Sequence, residues 1–237
     1  MSTFADSLRL ALDLMLRLDA ELLGIVALSL RVSITACAVG AGIGLVGGAL
    51  LAAARFPGHG GVVWLVNTLL ALPSVVVGLL VYLLLSRSGP LGSWGILFTP
   101  AAMVVAQSIL VVPLIAALTR RLVLDALRDG GEQLRSMGAS PAQSALLMLL
   151  HERLGVATIL LAAFGRAVAE VGAVMIVGGN IAGVTRVMTT AIALETTKGD
   201  LPLALALGLV LLGVVGVAHA AIALVQPRQS SLREALA

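Results

Sequence analysis

Charge is scarce in this sequence. Only 11% of its 237 residues are charged while 59% are hydrophobic, and the mean hydropathy is +1.10. So little polar surface cannot coat a water-soluble globule of this size, so the chain belongs in a bilayer. Lysine is scarcer still. Lys198 is the single lysine, and no run of Gly, four residues, Gly-Lys-Ser/Thr occurs, which excludes a nucleotide-phosphate loop of the Walker type in this chain. Cysteine is limited to Cys37, inside an apolar run, so no intrachain disulfide can form and the residue reads as a small core side chain. The three histidines, His59, His151 and His219, have no companions at metal-ligand spacing, and no nucleophile has an orienting partner. An intramembrane enzyme acting through Glu170 or His219 therefore lacks a complete site, and no catalytic residue, metal or cofactor is assigned to this chain. The pI is near 10.0, yet the net charge is only +3, which is no footprint for nucleic acid.

What the sequence has in quantity is apolar length. Runs at 32–54, 62–85, 95–118 and 201–225 are each long enough to cross ~30 Å of hydrocarbon as a helix. A further run at 154–178 is interrupted only by Arg166 and Glu170. The expected fold class is an all-α polytopic membrane protein with about five transmembrane helices and an N-terminal amphipathic helix. The expected organisation is an amphipathic segment at 1–20, one transmembrane domain at 21–225 containing a loop at 119–153, and a tail at 226–237, with no room for a separate soluble domain. The amphipathic reading rests on Asp6, Arg9, Asp13 and Arg17 at helical spacing, with Leu8, Leu12 and Met15 on another face. A span starting near Leu8 competes with it, at the cost of putting those four charges in lipid. Residues 1–20 also lack the basic start and apolar run of a cleavable signal peptide.

Five spans sort the cations. One side receives Arg55, Arg120, Arg121, Arg128, Arg135, Arg153, Arg228 and Arg233, eight in all; the other receives Arg9, Arg17, Arg87, Arg186 and Lys198, five in all. The positive-inside rule then places the N-terminus outside, and the 119–153 loop and the C-terminus in the cytoplasm.

That loop is unusually well defined. Gly138 can supply a tight or left-handed turn that ends the helix running through Glu132. A second helix then starts with Ser140 as N-cap, Pro141 at the first helical position and Gln143 completing a capping box. Ala142, Ala145 and Leu146 give it a small apolar face suited to docking. Capping and periodicity alone leave open an amphipathic linker resting on its own membrane surface.

Within the apolar runs, Arg166 and Glu170 are four residues apart and close enough to pair on one helix face. A structural ion pair and a role in gating are both open. Downstream, Gly178 and Gly179 permit a sharp turn, Asn180 offers donors and an acceptor, Thr185, Thr189 and Thr190 add hydroxyls, and Arg186 adds a cation. An oxyanion could use these groups, and an ordinary polar loop between spans could contain them equally well. Gly40, Gly44 and Gly48, extended by Ala36 and Ala52, form a stripe that admits a close helix, within the subunit first and across a homodimer second. Pro73 and Pro113 are expected to kink the second and third spans.

The spacing Glu132, Gly138, Met148, Leu150 resembles the cytoplasmic "EAA" loop of ABC importer permeases, whose pattern is Glu-Ala-Ala, three residues, Gly, nine residues, Ile, any residue, Leu-Pro. Gln133 and Leu134 replace the alanines, Met148 the isoleucine and His151 the proline. GRAVAEVGAVMIVGGNI at 165–181 and TRVMTTAIALET at 185–196, with KGD following, are similar to permeases of the molybdate and tungstate group, tungstate above all. LSLRVSITA, RFPG, NTLLALPSVVVGLLVYLLLSRSGPLG and LFTPAAMVVAQ extend the likeness over roughly 20–225. The resemblance implies the type I ABC importer (MetI-like) fold, present as a homodimer in the cytoplasmic (inner) membrane of a bacterium or archaeon. It implies two copies of a separate ABC ATPase that bind ATP and Mg, and an extracytoplasmic binding protein that delivers the oxyanion. ATPase coupling then falls to Glu132, Gly138, Ala139, Ser140, Pro141, Ala142, Met148 and Leu150. Candidate path residues are Gly178, Gly179, Asn180, Thr185, Arg186 and Thr189, with Arg166 and Glu170 as an intramembrane gate or ion pair. A proton-coupled carrier using Arg166 and Glu170 is the alternative.

Overall fold

A computed structural model describes the backbone of residues 4–16 and 19–236, and the side chains of residues 8–13, 16 and 19–224. Every regular element among them is helical: α1 (Phe4–Leu16), α2 (Ala20–Ala53), α3 (His59–Leu69), α4 (Ser74–Leu85), a 3-10 turn (Gly92–Trp94), α5 (Pro100–Ser136), α6 (Pro141–His151), α7 (Arg153–Val168), α8 (Gly172–Gly178), α9 (Met188–Lys198) and α10 (Leu201–Leu236). Three helices are long and apolar enough to cross a membrane, α2, α5 and α10. The total reaches five if the bent pairs α3/α4 and α6/α7 each count as one span. The chain is thus an all-α, multi-pass membrane protein.

Two expected spans are not continuous. The run 62–85 breaks between α3 and α4, which meet at 100°. Pro73 causes this: it caps α4 with φ −64 and ψ 124, it has no N–H to continue α3, and its ring disfavours helical geometry at Leu72. The run 154–178 is divided into α7 and α8 at residues 169–171. Pro113, by contrast, lies inside α5 without ending it. In the N-terminal segment Arg17 and the side chains of Asp6 and Met15 lie outside the described residues; Ala11 is buried, while Leu10, Leu12 and Leu16 are exposed. Asp19 starts α2 by accepting the backbone N–H groups of Glu21 and Leu22, each at 3.0 Å.

The chain divides into two compact units. The first comprises Met1–Ala36, Pro73–Gln107 and Gly165–Val217. Here α4 buries Val77, Gly78, Val81 and Leu85 at three- and four-residue spacing. Its partner is α8, which buries Ala173, Val174, Val177 and Gly178. The second unit comprises Cys37–Leu72, Ser108–Phe164 and Ala218–Ala237. In it the glycine stripe of α2 is used within the subunit, against α5. A Cβ on Gly44 would lie 2.8 Å from Ile115 Cβ, and one on Gly48 would strike the Ala116 carbonyl oxygen. Only hydrogen fits at these positions, and the backbones approach accordingly. Further along, Ala49 and Val123 are fully buried and Leu127 packs against them. The opposite faces of the long helices carry exposed apolar side chains, among them Ile34 and Ile43 on α2 and Leu212 and Val217 on α10, a surface suited to lipid.

Candidate functional site

The segment from Glu132 to His151 belongs to the second unit and is built by local hydrogen bonds. Helix α5 ends in a Schellman turn: Gly138 adopts φ 86, its N–H bonds the Arg135 carbonyl at 2.9 Å, and the Ala139 N–H reaches the Leu134 carbonyl at 3.0 Å. Ser140 then caps α6. Its hydroxyl accepts the Gln143 N–H at 3.3 Å while its own N–H donates to Gln143 Oε1 at 2.9 Å. With Pro141 at the start, the capping box expected from the sequence is present in full. Local bonds thereby satisfy part of the end groups where the two helices meet, and the turn is set.

The two faces of α6 differ. Ser144 and Ala145 are buried, and Met148 and Leu149 pack with Ala145 against Ala49, Val123 and Leu127. Ala145, expected on the docking face, is therefore part of the core, because α2 and α5 supply the small and branched side chains that close over it. The outward residues are Ala142, Gln143, Leu146, Leu147 and Leu150, with Leu150 73% exposed. Glu132, Gly138, Ser140 and Pro141 are also exposed, and Ala139 is half-buried. One face of α6 is thus fixed in the core, while the other leaves apolar side chains exposed.

In the first unit the pair Arg166–Glu170 is made, at 2.7 Å, with Arg166 51% exposed and Glu170 only 4%. Glu170 does more than pair. Its Oε1 accepts the Ala173 N–H at 3.2 Å, which caps α8, and the Ser74 side chain is within hydrogen-bonding reach. At the interruption, 169–171, the Ala167 carbonyl keeps a backbone donor, the Glu170 N–H at 3.1 Å, and side chains from other helices add to the bonding there. The Gln107 amide donates to the Ala167 carbonyl at 3.0 Å, and the Thr189 hydroxyl to the Glu170 carbonyl at 2.8 Å. Side chains of α4, α5 and α9 thus meet the break between α7 and α8. Gln107 and Ser74 lie within the stretches that carry the likeness but were not singled out there; their signal is polarity inside an apolar run.

The loop after α8 is held by the same residue types that make it polar. Gly179 and Asn180 adopt φ 70 and φ 50. The Thr185 hydroxyl donates to the Gly178 carbonyl at 2.6 Å and accepts the Ile181 N–H at 2.9 Å. Asn180 donates to the Thr190 carbonyl at 3.3 Å, while its side-chain oxygen is buried without a partner. Arg186 is 13% exposed and lies 3.5 Å from Glu21 and 3.9 Å from the buried Glu195, which also pairs with Lys198 at 2.9 Å. Thr185, Thr189 and Arg186 are therefore engaged internally; Gly179 and Ile181 to Val184 present the exposed surface. Among the described residues no three of His, Cys, Asp and Glu gather as a metal site.

Comparison with known proteins places this architecture. No family model matches the chain. It is 42% identical over 199 residues to a probable anion ABC transporter permease protein of Haloferax volcanii, covering 82% of this chain and 86% of that protein. It is 39% identical over 216 residues to the tungstate uptake system permease protein TupB of Peptoclostridium acidaminophilum, covering 90% and 93%. A Campylobacter jejuni protein of the same name is 43% identical over 148 residues, 62% of each chain. With identity of this order running through nearly the whole length of two permeases and an all-helical, multi-pass fold, the chain belongs to the ABC transporter permease family.

Proposed function

We propose that this chain is the membrane subunit of an ATP-driven importer for a tetrahedral oxyanion, with tungstate the first candidate and molybdate the second. The observation that carries the reading is the 39% identity to a tungstate permease across 93% of that protein. The open apolar face of α6 adds a place for a motor to push. In this reading two copies of the chain flank one path, two ATPase subunits bind ATP and Mg on the cytoplasmic side, and an external binding protein delivers the anion. The outer face of α6, from Ala142 to Leu150, seats in the ATPase, while Met148 ties the helix to α2 and α5, so displacement of one is felt by the other. The chain does no chemistry on its cargo. Its N-terminus lies outside and its C-terminus in the cytoplasm.

Gly178, Gly179, Asn180, Thr185, Arg186 and Thr189 shape the path, with the hydroxyls holding the loop and the exposed backbone meeting the anion. Arg166 and Glu170 join the interrupted helix α7/α8 to α4, a suitable hinge for a gate. The proton-coupled alternative asks Glu170 to exchange protons freely. Its engagement by Arg166, Ala173 and Ser74 supports a fixed role instead. Tungstate and molybdate share charge and shape, so the path need not separate them and the binding protein can.

Competitive uptake tests the assignment. Cells carrying the chain with its partners should accumulate tungstate, with excess molybdate competing and cells lacking the chain failing to do so. Transport by the purified chain in vesicles without an ATPase would overturn it.

A further inference from the structure

A second charged feature lies apart from the coupling helix and the α7/α8 break. In the second unit, Asn67 of α3 and Arg120, Arg121, Asp125 and Arg128 of α5 line a cleft of ≈ 370 Å³. Arg128 is neutralised by Asp125 at 3.2 Å. Arg120 and Arg121 make no ion pair among the described residues, and Arg120 Nε is withdrawn from solvent with no acceptor. A buried donor without an acceptor is costly unless a ligand supplies one. Two adjacent guanidinium groups present planar N–H forks, the geometry that matches the oxygens of phosphate-like anions, and the Asn67 amide adds a neutral donor from the other wall. These residues follow directly on the apolar run that ends at 118, so they lie at headgroup depth. Basic pockets at that level, on the cytoplasmic side, suit anionic headgroups.

We propose that this cleft is an anion site separate from transport, in which Arg120 and Arg121 bind a tetrahedral oxyanion and Asn67 completes the contact. The oxyanion is either the phosphodiester of an anionic phospholipid or a free dianion, and in both cases it ties α3 to α5 just before the Pro73 bend. The inference depends on the membrane placement of α5 and not on which anion is transported.

The purified full-length chain is the test material. One arm measures retention of phosphatidylglycerol against phosphatidylcholine by native mass spectrometry; the other measures radiolabelled phosphate and tungstate by equilibrium dialysis. Wild type is expected to bind in at least one arm, and Arg120→Gln/Arg121→Gln to bind about thirty-fold more weakly. Asp125→Asn/Arg128→Gln, which removes both members of the existing pair together, should stay within about threefold. Asn67→Asp, at an exposed position that leaves packing untouched, should lose binding by placing a carboxylate in the cleft, so the outcome does not depend on the double variant folding. Lipid retention with blank dialysis identifies the phospholipid as source, and the reverse identifies the free anion. Equal binding by wild type and Asn67→Asp in both arms, or equal losses for Asp125→Asn/Arg128→Gln and Arg120→Gln/Arg121→Gln, would overturn the proposal.

Discussion

Removing one member of a buried ion pair and removing both are different perturbations. Glu170 is almost wholly enclosed while Arg166 is half exposed, so the cost of Arg166→Ala arises mainly on the carboxylate left behind. Breaking a buried pair costs about 3–5 kcal/mol, but solvent reaches Arg166, and Ala173 and Ser74 remain as partners, so the effect here should fall below that range. Glu170→Gln keeps an oxygen to cap α8 and removes the stranded charge. Uptake and detergent-solubilised thermal stability are therefore expected to fall more in Arg166→Ala than in Arg166→Ala/Glu170→Gln. Strictly additive losses across the cycle would show that the two residues act independently.

At the scale of an element, α6 separates what a sequence states from what it leaves to the fold. Its boundaries were legible because Gly138, Ser140, Pro141 and Gln143 act through bonds that reach no further than five residues. Its inner face was not, because Ala142, Ala145 and Leu146 are equally apolar, and only the approach of Ala49 and Val123 decides that Ala145 is enclosed. The same distinction runs through the spans. Pro73 announces its break locally, whereas the break at 169–171 is bonded by Gln107 and Thr189, 60 and 19 residues away from the carbonyls they reach. The two faces of α6 should separate experimentally. Leu147→Glu, on the outer face, is expected to leave the protein folded in the membrane yet abolish co-purification of the ATPase. Ala145→Leu should overpack the core and lower stability by about 1–3 kcal/mol, seen as a reduced melting temperature. Retained ATPase binding by Leu147→Glu would remove α6 from the docking surface.

For the whole molecule, the proposed importer would have α6 and the loop after α8 open to opposite sides of the membrane. Charge counting favours α6 inside by eight cations to five, and five of those eight lie between Arg120 and Arg153. Sidedness is open to a direct probe, since Cys37 is the chain's single cysteine and is buried. A membrane-impermeant maleimide should therefore react weakly with the native protein. Ala182→Cys, exposed on the loop after α8, is expected to label in intact cells, whereas Ala142→Cys, exposed on the outer face of α6, should label only after the membrane is opened. Labelling of Ala142→Cys from outside would invert the topology, and with it the side on which an ATPase could grip the chain.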